Sequence, residues 1–81
     1  MPYIEKKRRA EIYVGDAIPE NAGELNYFIT MNLIRYMSNK PEKYQTYNDI
    51  LGVLEGAKQE IYRRKIAPYE DLKIKENGDV F

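Results

Sequence analysis

The chain has 81 residues, 13 basic and 13 acidic, with no cysteine and no histidine. A domain this small buries only about 60 to 65% of the surface its unfolded chain exposes; disulfides are excluded and a structural zinc site nearly so, which leaves self-association as the common remaining support. Balanced charge argues against a general DNA-coating protein, and no stretch approaches the roughly 20 apolar residues of a membrane span, so the chain reads as cytoplasmic with no membrane partner.

The spacing of Ile4, Arg8 and Ile12 predicts a short helix over residues 2–13, with Lys6, Lys7 and Arg9 exposed and with Gly15 and Asp16 ending it. After Pro19, Asn21 can cap a long helix over about 22–38, and Glu24 can return the bond in a capping box. Leu25, Phe28, Ile29, Leu33 and Tyr36 give it one apolar face, while Tyr27, Met31 and Ile34 give a second on nearly the opposite side. With so little chain to cover both, the second stripe is expected to face another subunit; the alternative is coverage by the N-terminal helix. Asn32, placed within the apolar face, would then fix register across that interface or touch a ligand.

After a polar connection containing Pro41, a second long helix is expected over about 47–66, starting at Thr46 or Asn48 and stopped by Pro68. Its core stripe is Ile50, Leu54, Ala57 and Ile61. The tail alternates Leu72 and Ile74 with lysines before Asn77-Gly78, which predicts a short C-terminal β-hairpin; the competing reading is a third helix over 69–76 ended by the same dipeptide. The expected fold is therefore mainly α: two long antiparallel helices, a short N-terminal helix and a terminal hairpin, assembled as a homo-oligomer of one domain per chain.

Gly52 and Gly56 lie opposite the core stripe, in a row continued by Gln59 and Arg63. Each glycine costs roughly 1 kcal/mol relative to alanine within a helix, so a close neighbour, a helix or a flat ligand, is expected there. Arg63, Arg64 and Lys65 close the helix where cations favour the negative end of the macrodipole. Flanked by Tyr62 and Tyr69, they also suit a phosphate with a base attached. The run from Lys6 to Arg9 offers Arg8 and Arg9 as a second basic cluster for the same ligand. Catalysis finds little support without histidine or cysteine, the commonest general base and the best nucleophile, and no cofactor or metal is implied.

NAGELNYFIT at 21–30, the block from Asn48 through Arg64, and PYEDLKIKENGDVF at 68–81 together resemble a family of small proteins found in bacteriophages and bacterial genomes. The resemblance covers most of the chain, but much of that family has only an uncharacterised-domain label. In style the chain is also similar to viral sponges, oligomers that sequester the nucleotide messengers of bacterial immune systems such as CBASS. That resemblance implies a non-enzymatic anti-defence protein that binds a cyclic oligonucleotide, such as a cyclic dinucleotide, in a symmetric pocket between subunits. The competing expectation is an inhibitor that docks its surplus apolar stripe on a host protein. A nucleic-acid accessory role would rest only on the two basic clusters, against a neutral net charge.

Overall fold

A computed structural model describes residues 3–81, which form two units, one ending at Lys43 and the other running from Tyr44 to Phe81. In the first unit, α1 spans Lys6–Tyr13 and α2 spans Ala22–Met37, packed against each other. The start of the expected N-terminal helix at Pro2 lies outside the described residues. Helix α1 ends in bonds from Val14 and Gly15 N–H to the Ala10 carbonyl, followed by Asp16 in the left-handed region at φ 57°. Ile12 within α1 is fully buried at 0% exposure, and Ile4 is also buried but lies in the non-helical residues 3–5 ahead of it, so the helix is shorter than the expected 2–13 and helical spacing does not pair the two.

Helix α2 begins as its sequence predicts at the cap, because the Asn21 side chain accepts from Glu24 N–H at 2.9 Å. The Glu24 carboxylate does not complete the box; its Oε1 accepts from Glu20 N–H at 3.0 Å and from Arg8. The Tyr3 ring lies against the backbone of Gly23, where a Cβ would come within 2.9 Å of a ring carbon. Tyr27 and Met31, one and two turns beyond Gly23, are half-buried, while Leu25, Phe28, Ile29, Ile34 and Tyr36 are exposed. The more covered side of α2 thus includes part of the stripe expected to face another subunit.

The second unit corrects the expected stop at Pro68. Helix α3 spans Tyr44–Ile61, a π-helical turn takes Tyr62–Ile66, and α4 continues over Ala67–Asn77 without a break. In a regular α-helix Pro68 would lack its N–H bond and its ring would collide with the carbonyl four residues back. The wider turn relieves this: Ala67 N–H donates to the Tyr62 carbonyl, five residues back, so the helix admits one extra residue instead of ending.

The expected β-hairpin is also overturned. Residues 67–77 are helical, and no strand occurs among the described residues. Glu70 in the first turn, Lys75 in the last, and a Lys73–Glu76 ion pair at 3.1 Å favour helix over strand. Gly78 then ends it at φ 85°, donating its N–H to the Ile74 carbonyl at 2.8 Å, so Asn77-Gly78 acts as a helix stop. Along this unit Ile50, 8% exposed, is the one buried side chain among the described residues.

Replacing Ile12 by alanine removes the one side chain fully enclosed in the first unit. Urea denaturation followed by circular dichroism is expected to show a loss of about 2–5 kcal/mol, within the range for large-to-small core changes.

Candidate functional site

The π-turn sets the geometry of the candidate ligand residues. One extra residue in the turn sets everything downstream back by about one helical position, roughly 100°. Tyr62 and Glu70, eight apart, are not neighbours on a regular helix, but the setback places them like residues seven apart. The Tyr62 hydroxyl accordingly donates to Glu70 Oε1 at 2.6 Å, spanning the π-turn. This bond, more than the adjacent negative charge, pushes the Tyr62 phenol above its ordinary pKa.

Arg63 and Arg64 share one carboxylate. Arg63 Nη2 donates to both Glu60 oxygens, at 3.1 and 3.3 Å, and Arg64 Nε donates to Oε1 of the same residue. All three side chains are exposed, so these pairs hold the guanidinium groups in place more than they stabilise the helix. Two arginines thus share one glutamate, and with Lys65 next in sequence the π-turn keeps a local positive excess.

Beside Arg63 a shallow depression of about 540 Å³ is lined by Gly56, Gln59, Glu60 and Tyr62 among others. A Cβ added at Gly52 or Gly56 would meet nothing within 4 Å, so no other part of the described chain approaches the glycine row. The helix backbone is therefore open beside the Arg63 guanidinium. Tyr69 belongs elsewhere: it lines a separate depression of about 470 Å³ with Lys73, Ile74 and Phe81, and Lys73 Nζ sits 5.6 Å from its ring centroid. Tyr62 and Arg63 come together; Tyr69 does not join them.

In the first unit, Arg8 is committed to the fold. Its Nη2 donates to Glu24 Oε1 at 2.8 Å and to the Ile18 carbonyl at 3.1 Å, with Glu20 and Glu11 at 3.7 and 3.9 Å. Arg9, expected to be exposed, is half-buried, and its Nε is buried without a hydrogen bond. Asn32 satisfies itself locally by donating Nδ2 to the Phe28 carbonyl of its own helix at 2.8 Å.

Two features went unread in the sequence. Glu60 stands three and four residues before the arginines, an ordinary helical ion-pair spacing that was there to be used. The Tyr62–Glu70 bond had no such signal, because its spacing becomes contiguous only through the π-turn.

Residues 1–80 match the family described as a Domain of unknown function (DUF6899). The chain belongs to this family. No curated protein and no solved structure matches it. Among the described residues no helix is long and apolar enough to cross a membrane.

The Arg8 hydrogen bond is the main reason the Glu24 carboxyl lies below its ordinary pKa. A depressed carboxylate contributes stability that is present above its unfolded value, about 4.5, and lost as pH falls through the lower folded value. Thermal unfolding between pH 7 and pH 3 is expected to show this loss in the wild type and a flatter profile in Glu24→Gln.

Proposed function

We propose that this protein is a non-catalytic, homo-oligomeric binder that captures a cyclic oligonucleotide immune signal, such as a cyclic dinucleotide, by stoichiometric sequestration. The observation that supports this most is the pairing of Arg63 and Arg64 on one carboxylate, next to helix backbone left open at Gly56. Guanidinium groups already oriented lose less freedom when they engage a phosphate. The Tyr62 ring, fixed by its bond to Glu70, supplies a face for a base beside Arg63. Gly52 and Gly56 allow a flat ring to lie close to the helix. Arg8 is given no ligand role, since its donors hold Glu24 and Ile18. The likeness to phage proteins adds a place for such a binder: a phage-encoded anti-defence protein acting in the host cytoplasm. Capture needs affinity and no turnover, which fits a chain without histidine or cysteine.

A second reading, an inhibitor docking the stripe of Tyr27, Met31 and Ile34 on a host protein, is favoured by the exposed Ile34, although Tyr27 and Met31 are half-buried and Leu25, Phe28 and Ile29 are the residues beside it that stay exposed. It requires a monomer whose apolar face stays free in solution, and light scattering separates the two.

Titration with a panel of cyclic di- and trinucleotides by calorimetry is expected to yield one ligand that binds. Arg63→Ala and Arg64→Ala should each weaken it by about 10- to 100-fold, the worth of one charge-assisted hydrogen bond. Absence of heat with every nucleotide would remove the proposal.

A further inference from the structure

Across the π-turn the apolar face of the second unit keeps its phase. Tyr47, Ile50, Leu54, Ala57 and Ile61 follow one another at alternating steps of three and four residues, the a/d pattern of a coiled coil. Lys65, Tyr69, Leu72 and Glu76 continue it, with one residue in excess between Ile61 and Lys65. That surplus falls where Tyr62–Ile66 widen to absorb one residue. Beyond Ile50 the seam is uncovered, from 38% exposure at Leu54 through 52% at Ile61 to 58% at Tyr69.

We infer that the face from Leu54 to Leu72 is an antiparallel docking surface for the same helix of a second copy of this chain. Antiparallel helices set a positions against d positions, and here that places Leu54 on Leu72, Ala57 on Tyr69 and Ile61 on Lys65 of the other copy. The small Ala57 receives the largest side chain of the seam, and the Lys65 stem covers Ile61 while its ammonium reaches water. The flanking positions agree: Lys58 meets Ile66, Lys73 meets Leu51, and Lys75 meets Val53, so no like charges are opposed. A parallel pair in register would stack Lys65 on Lys65 and Glu76 on Glu76. In the antiparallel pair the two-fold axis passes through the π-turns with the two Lys65 side chains beside it, while the row of Gly52, Gly56 and Arg63 stays on the outer face of each copy. The inference names the surface for the self-association in the proposed function, and it stands or falls without any nucleotide.

The chain has no cysteine, so single cysteines report this register cleanly. Val53→Cys and Lys75→Cys variants, mixed and oxidised, are expected to form the mixed disulfide predominantly, with little of either homodisulfide. Sedimentation of the wild type should show no monomer at micromolar concentration, and Ile61→Asp should lose both association and helicity. A helical wild-type monomer, predominant homodisulfides, or an oligomer that yields no disulfide would each overturn the inference. Because no nucleotide is present, failure of ligand capture leaves these outcomes unchanged.

Discussion

Pro68 brings no amide hydrogen and a ring that an α-helix has no room for, and the second unit is organised by how the chain accommodates it. A break at that point would have left the 11 residues of α4 as a helix on their own, below the length at which isolated helices hold in water. The turn instead widens over Tyr62–Ile66, keeping the helix from Tyr44 to Asn77 continuous. The widened turn also carries all three cations of the candidate site. It lets Tyr62 reach Glu70, and it returns Tyr69 and Leu72 to the face begun by Leu54 and Ile61. Steric relief, site geometry and the phase of the apolar face are thus one local event.

The first unit solves a different problem. Its two apolar anchors, Ile4 and Ile12, are buried with two half-buried arginines, Arg8 and Arg9, between them. A guanidinium drawn out of water costs free energy unless its donors are met. Arg8 meets this condition through Glu24 and the Ile18 carbonyl, tying α1 to the start of α2 and to the loop between them. A residue that reads as part of a basic run is here a cross-link of the fold. Lys6 and Lys7 remain exposed.

Much of the helical content was legible in residue types. The Asn21 cap, the α2 boundaries and the burial of Ile12 follow from spacing and capping chemistry. The misreadings concern Pro68 and Asn77-Gly78, each of which supports two outcomes. A proline usually ends a helix, but a wider turn can accept it; an Asn-Gly pair begins hairpins and stops helices equally well. Local chemistry decided the second case, through Glu70, Lys73, Lys75 and Glu76, whose spacing suits helical ion pairs. For the site, the tyrosine and arginine residues were identifiable, but their grouping was not. Tyr62 with Arg63, apart from Tyr69, depends on a rotation that no residue pattern announces.

Glu60 has a further consequence. By holding two guanidinium groups it occupies the place an incoming anion would take, so any ligand must first displace an internal competitor. A lone monoanion offers little advantage over a tethered carboxylate. A ligand with two phosphates and a ring to stack has several points of attachment against one. Under the proposed function the glutamate would set an entry threshold, one that a small monoanion does not pass and that a ligand with several points of attachment would.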